Sequence, residues 1–388
     1  MVKYTDLECF ADAQKALVLD SGSGAIRIGY SGEDAPRASY RTVVGMVYED
    51  GVEGSKEDAR SSSGTSAAST TVNGSKRTPV FGDAAISIDP SSKVSPIVRG
   101  QVVDKDALES LWGYCLQNEK LIAGKDPSIP VLVAVAPQTP LAIREWMAEI
   151  FLEKFNFPSL AISSTAALSL YSTGETTGMV IDLGHGVTSA VPVFEGFCIP
   201  YASFSLNVAG ADITQAFKSY GDERLGTPIT LETAAIMKEK LAFVRGDAKA
   251  GESRVLFELP DGTVIQVPED VRSDCTEILF PRFGSSLPEI VNKAFTALDP
   301  GLQTELAMNI QISGGTSLLP GLSNRLHAEL IKGGLSLDMK IKADGQRKLA
   351  AWLGGSMFSS LSTFEAFALK KKEYEEGNAY ELVAQRLN

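Results

Sequence analysis

Two histidines and four cysteines in 388 residues leave little from which to build a metal cage or a histidine-dependent hydrolase. The cysteines, Cys9, Cys115, Cys198 and Cys275, are far apart and form no C-x-x-C pair. That excludes a disulfide scaffold and a zinc ribbon, and points to a reducing compartment. The opening MVKYTDLECF has no apolar signal-peptide core, and apolar runs such as Val131–Pro137 fall far short of the ~20 residues that span a bilayer. The expectation is an intracellular protein with no membrane span. Basic residues are also in deficit: 36 Lys and Arg face 48 Asp and Glu, a net charge of −12. Direct nucleic-acid binding is disfavoured, because phosphate backbones are met by clustered Lys and Arg. An anion held by backbone N–H groups remains open. No G-x-x-x-x-G-K-[ST] occurs, and no strand leads into G-x-G-x-x-G at helix spacing, which disfavours the P-loop and the Rossmann fingerprint.

What is present is globular: 44% hydrophobic and 22% charged residues. Single cores stop growing at roughly 250–300 residues, so more than one domain is expected. The stretch 49–78 is nearly all Ser, Thr, Gly, Ala and charge, and reads as a flexible surface loop interrupting a domain. Elsewhere short β-branched runs alternate with amphipathic segments. The runs are Ala16–Leu19, Val131–Ala136, Met179–Ile181, Val191–Val193, Val264–Val267 and Ile310–Ile312. Helices are predicted after Asp104, Pro140 and Pro320. This alternation argues an α/β architecture with a partly parallel sheet.

One pattern occurs twice. LVLDSGSG begins at Leu17 and MVIDLGHG at Met179, each an apolar strand end, an Asp, then x-Gly-x-Gly. Each runs into a second apolar segment, so each reads as a β-hairpin with a glycine-rich turn, and the spacing suits duplicated domains. Such turns expose backbone N–H groups to an anion. Asp20 and Asp182 then become metal-shell candidates, since Mg²⁺ on a polyphosphate takes one or two carboxylates and keeps waters. Gly22-Ser23-Gly24 and Gly184-His185-Gly186 become phosphate clamps. A third glycine signal, Gly314-Gly315-Thr316, lets a base and sugar approach backbone. A single D-x-G-x-G is usually no more than a tight turn; the repetition is what gives it weight.

These strings resemble the actin family along nearly the whole chain. ALVLDSGSGAIRIGYSGEDAPRA and LSLYSTGETTGMVIDLGHGVTSAVPVFEGF resemble its two phosphate loops, and ELPDG, ISGGTSLLPG, RKLAAWLGGS and LSTFEAF follow in the family's order. The resemblance implies an α/β, actin-like duplicated two-lobe ATPase fold, two mixed-sheet domains around a nucleotide cleft. The first lobe is expected over 1–172 plus 349–388, with 49–78 a loop in its small subdomain, and the second over 173–348. It implies ATP or ADP with Mg²⁺ as cofactors. Asp20 and Asp182 would lie near the metal, with Gly22, Ser23, Gly24, Arg27, Gly184, His185, Gly186 and Val187 around the phosphates. Gly210 resembles the ribose-side loop. Lys238 and Glu239 would border the nucleoside, and Gly314, Gly315, Thr316 and Lys348 would close around the base. On residue type alone Lys238, Glu239 and Lys348 read as solvated helix positions.

Departures from the family pattern bear on activity. Arg27 stands where the family has a phosphate-reaching lysine, Thr165 where it has a water-orienting glutamine, His185 where it has an acid, and Ser189 where it has a histidine. Activation of water in phosphoryl transfer is largely positioning, so binding with weak or absent hydrolysis is expected. His185 is read either as a partial substitute, donating to a phosphate oxygen or holding water, or as a turn residue in solvent. Stretch 49–78 has few apolar anchors, 281–291 is shorter than the family's apolar plug, and the chain end lacks the usual basic-cysteine-aromatic pattern. Long autonomous filaments are therefore not expected. The reading is an actin-related structural subunit of a defined assembly, with other actin-family or cytoskeletal-complex proteins as partners. Residence is expected in the cytoplasm and cytoskeleton, with nuclear and axonemal residence left open. The alternatives are a divergent conventional actin that polymerises and hydrolyses ATP, or a sugar kinase, acetate kinase or chaperone ATPase of the same lobe plan.

Overall fold

The computed structural model describes residues 15–49, 76–118, 129–246, 254–335 and 338–387. Cys9 and most of the predicted loop, 50–75, lie outside the described residues. The ends of that loop are redrawn. Val44–Glu49 and Lys76–Phe81 pair antiparallel from Val44↔Phe81 to Glu49↔Lys76. Ladder pairing uses backbone groups, so a strand can run past the last apolar residue into polar sequence.

Two sheets organise the rest. The first runs in the order Leu369–Lys370, Ser159–Ser164, Val131–Val135, Leu17–Ser21, Ala25–Tyr30, Ala38–Arg41. The second runs Phe197–Cys198, Thr188–Phe194, Gly178–Leu183, Ile310–Ser313, Ile341–Lys342, with Phe204–Leu206 also on Thr188–Phe194. Each contains an antiparallel hairpin whose first strand also pairs in parallel with a central strand. The inferred duplication is thus a duplication of topology. All six predicted strands are present; five run one to four residues beyond the predicted ends, Leu17–Ser21 also starting one residue later than predicted, and Val131–Val135 stops one residue short. The three predicted helices are Lys105–Asn118, Leu141–Ala148 and Leu322–Lys332, and the Asp104 carboxylate accepts the Ala107 N–H at 2.9 Å as an N-cap.

Alternation across the first sheet sorts its residues into two layers. Leu17, Leu19, Ile26 and Ile28 face one core with Leu108, Trp112 and Phe151, while Val18 and Leu132 face another with Trp352 and Phe364. The second sheet packs Met179, Ile181, Ile310 and Ile312 against Phe217, Phe295 and Leu326. Its other face, Val180 and Val191, meets Ala166, Ala167 and Leu170 of helix Thr165–Tyr171. That helix carries the chain from the first sheet to the second, and helix Ala350–Ser359 brings it back. The two helices touch at backbone distance: a Cβ on Gly354 would stand 1.7 Å from the Leu168 carbonyl oxygen.

Candidate functional site

The parallel strands of both sheets end at one crevice, where α/β folds place their ligands. The two turns are built alike. In the first the Gly22 N–H donates to the Ala25 carbonyl at 3.0 Å, and in the second Gly184 N–H donates to Val187 at 3.1 Å. The turns meet face to face. A Cβ on Gly24 would stand 2.6 Å from His185 Cβ, and one on Gly186 2.6 Å from Ser23 Oγ. Glycine is required here by close approach, since any side chain would part the loops.

The carbonyl groups of both turns are tied back. Thr42 donates its hydroxyl to Gly22 O at 2.6 Å and its N–H to Gly24 O at 3.4 Å. Gly184 O accepts from Thr316 Oγ1 at 2.8 Å and from Gly210 N–H at 3.1 Å, and His185 O from Ala211 N–H at 2.7 Å. The N–H groups of Ser23, Gly24, His185, Gly186 and Val187 have no hydrogen-bond partner among the described residues. Oxygens held away and donors left available make both turns electropositive concavities suited to phosphate oxygens.

The two aspartates occupy equivalent register positions yet are satisfied from opposite sides. Asp20 lies between Arg27 on its antiparallel neighbour and Ala134 on its parallel one, and takes Arg27 Nη1 at 2.6 Å. Asp182 lies between Ser189 and Ser313, and takes the Ser313 hydroxyl at 2.9 Å. Asp20 is 4% exposed, and Asp182 is largely shielded. Burial pushes the Asp182 carboxyl above its ordinary range and the nearby Asp20 charge adds to this, with the Ser313 bond and Arg27 opposing. Two carboxylates under mutual repulsion at a phosphate cradle suit a divalent cation. No group of three or more His, Cys, Asp or Glu side chains forms a metal cage among the described residues. Mg²⁺ does not need one, because phosphate oxygens and water complete its shell. Gly314, at φ +86°, brings its backbone against this pair; a Cβ there would stand 2.8 Å from Asp182 Oδ1.

Around the second turn the other expected residues converge. Gly210 opens helix Gly210–Arg224 against Thr316 and Gly184. Lys238 Nζ donates to Gly210 O at 3.2 Å, and burial lowers the pKa of its ammonium. Glu239 and Lys348 are exposed at the rim, and a Cβ on Gly315 would lie 3.9 Å from Lys348 Cγ. Thr165 directly follows the parallel strand Ser159–Ser164, whose end lies at the crevice. It opens helix Thr165–Tyr171 behind the Ser164 cap, and its carbonyl accepts the Ser169 hydroxyl at 2.7 Å. Ser189 is buried opposite Asp182 and shows no activating partner among the described residues.

His185 keeps an exposed edge at the crevice while protein crowds its ring. Burial lowers its pKa, and Lys238 and Arg41 push the same way, against Asp212 and Glu239. Folding therefore favours the neutral imidazole. Its contribution to stability is complete above the ordinary histidine value, about 6.5, and is lost as pH falls from there through the lowered folded value. With only His185 and His327 in the chain, an NMR titration with and without His327→Gln reads this directly. The expected result is a His185 midpoint below the ordinary value.

Sequence reasoning missed a clasp between the sheets. Hairpin Ile97–Val98 and Gln101–Val102 turns through Arg99 at φ +53° and Gly100 at φ +75°. A non-glycine residue in that region stores about 1–2 kcal/mol of strain. Arg99 grips Asp212 with two bonds, at 2.5 and 2.7 Å, and reaches Gly186 O at 3.2 Å. Burial opposes ionisation of Asp212, but Arg99 and the Ala209 N–H outweigh it and hold the carboxyl below its usual range. The only local sign was a polar residue before Gly in a short turn.

A family model described as Actin matches residues 11–232 and 225–388. With the duplicated hairpins and their crevice, this places the chain in the actin family. Over 392 residues it is 33% identical to the protein named centractin of Saccharomyces cerevisiae, covering 95% of this chain and 96% of that one. This likeness supports an actin-related protein over a conventional actin. Proteins of this family in general bind a nucleotide with Mg²⁺.

Proposed function

We propose that this chain is a nucleotide-stabilised structural subunit that holds ATP or ADP with Mg²⁺ between its lobes, hydrolyses it slowly, and works within a cytoplasmic, cytoskeletal assembly. The observation that carries the reading is the pair of facing turns with carbonyls tied back and N–H groups available, beside two repelling carboxylates. Asp20 and Asp182 would stand near the metal, the latter set by Ser313. Gly22, Ser23, Gly24, Gly184, His185, Gly186 and Val187 would cradle phosphates, with Arg27 balancing Asp20. Gly210, Lys238, Glu239, Gly314, Gly315, Thr316 and Lys348 would enclose the nucleoside. Bound Mg²⁺ would supply charge neutralisation on the phosphates. The lobes would divide as 1–172 plus 349–388 and 173–348.

Slow hydrolysis is read from residue type: Thr165, which follows parallel strand Ser159–Ser164, and Ser189, opposite Asp182, are short hydroxyl side chains where the family has a glutamine and a histidine to place an attacking water. A structural role is supported by exposed aromatics on the second lobe, Phe197 at 73%, Tyr201 at 67% and Phe283 at 93%. Beside them lies a groove of about 710 Å³ floored by Phe204, Phe280 and Pro288. Such surfaces mark protein interfaces. No helix among the described residues is long and apolar enough to cross a membrane.

The test is to purify the protein, identify nucleotide released on denaturation, and follow phosphate release and pelleting together. Bound nucleotide with slow release and no pelleting is expected. An empty cleft removes the proposal, and rapid release with concentration-dependent pelleting would favour a filament-forming ATPase. The clasp adds a second expectation. Arg99→Ala removes one tie between the lobes, and release of a fluorescent ATP analogue, followed by stopped flow, should quicken about tenfold, as for loss of a bidentate charge pair.

A further inference from the structure

One cation on the first sheet has no role in the site so far. Arg41 ends strand Ala38–Arg41 and pairs in register with Ala25, the residue after the first turn. Tyr40 and Ile26, the neighbouring pair, face the core, so Arg41 stands on the opposite face. Ala25 and Arg27 share that face, and Asp20 joins them through its pairing with Arg27. The next residue, Thr42, is bonded to Gly22 O and Gly24 O, which pins Arg41 beside the turn. Arg27, Arg99 and Lys238 are each engaged, by Asp20, Asp212 and Gly210 O. Arg41 is exposed, and its guanidinium has no hydrogen bond or ion pair among the described residues. Its charge nevertheless reaches the His185 imidazole, which packs on Gly24 across the crevice.

We propose that Arg41 sets the preference of this cleft for a nucleoside triphosphate over the diphosphate, its guanidinium meeting the terminal phosphate at the first turn. The inference rests on the nucleotide reading above. In that reading the nucleoside is enclosed by second-lobe residues, Gly210, Lys238 and Thr316, so the far end of the polyphosphate extends toward the first lobe. A diphosphate stops one group short. The planar fork of arginine suits a phosphate, and among the described residues no carboxylate pairs with it.

The experiment compares the full-length protein with Arg41→Ala and Arg41→Lys, measuring dissociation constants for Mg-ATP and Mg-ADP by calorimetry, with circular dichroism confirming the fold. Arg41→Ala should weaken Mg-ATP about tenfold and Mg-ADP less than twofold, with Arg41→Lys recovering most of the loss. Equal weakening of both nucleotides, or of neither, overturns the assignment while leaving the nucleotide site standing. If the unsubstituted protein binds neither nucleotide, the reading of the cleft falls and the assignment with it.

Discussion

Asp182→Ala should weaken Mg-nucleotide binding by on the order of 100-fold while leaving the nucleotide-free protein at least as stable as before. The two halves of this expectation have one cause. In the folded chain Asp182 is shielded, faces the charge of Asp20, and has its carboxyl pushed up. Without a cation this arrangement is unfavourable, so removing the carboxylate relieves repulsion. With a cation the same arrangement is the binding determinant, and its loss removes a ligand. A 100-fold change in affinity corresponds to about 2.7 kcal/mol of ligand-dependent stabilisation. Thermal unfolding with and without Mg-ATP should show an unchanged or higher midpoint for the empty variant and a much reduced shift on adding ligand. A variant already destabilised when empty would make Asp182 a packing residue. Asp182→Asn, which keeps an acceptor for Ser313, separates lost charge from lost shape.

Gly354→Ala should be the most damaging single methyl in the described structure. Alanine is favoured over glycine inside a helix by about 1 kcal/mol. At Gly354 that gain is overwhelmed, because the new Cβ would lie 1.7 Å from the Leu168 oxygen and 2.5 Å from its carbonyl carbon. Backbone cannot rotate away as a side chain can, so the two lobe-crossing helices must part. Their separation would also disturb Gly355 against Val18 and Leu132, and the Trp352 indole N–H donated to Val18 O. Overpacking of this kind destabilises by about 3 kcal/mol or more. Gly113→Ala is the matched control. It too is helical, but its added Cβ would meet only Phe155 Cε1 at 3.9 Å, so it should stabilise by about 0.5–1 kcal/mol. Denaturant midpoints for the pair should move in opposite directions; movement in the same direction would refute the close-contact argument.

Much of the fold was legible because the repeated hairpin is a local pattern. Strand, Asp, glycine turn and second strand lie within one short stretch, Leu17–Tyr30 and again Gly178–Phe194, and both turns close with equivalent bonds, Gly22 to Ala25 and Gly184 to Val187. The glycines of the site were readable for the same reason. The groups that tune the site were not. Ser313 reaches Asp182, Arg99 reaches Asp212 and Thr42 holds the first turn through contacts between distant segments. Serine, threonine and arginine in isolation carry no sign of such a role. The family pattern drew attention to Thr165 and Ser189 as departures, and the fold explains why they differ in kind. Ser189 stays beside Asp182, while Thr165 serves as the first residue of a crossing helix.

The return of the chain to its first sheet has a consequence during synthesis. The layer under Val18 and Leu132 is completed by Trp352, Phe364 and Ala368, and the layer under Leu17 and Ile26 by Leu369, Val383 and Leu387. A ribosome that has finished helix Thr165–Tyr171 must still deliver the whole second sheet before those residues emerge. At about 5–20 residues per second this leaves an interval of roughly 10–40 s in which the nascent first lobe holds apolar surface it cannot yet cover. The segment made first is thus among the last to be finished, and its survival in that interval depends on being shielded from other chains.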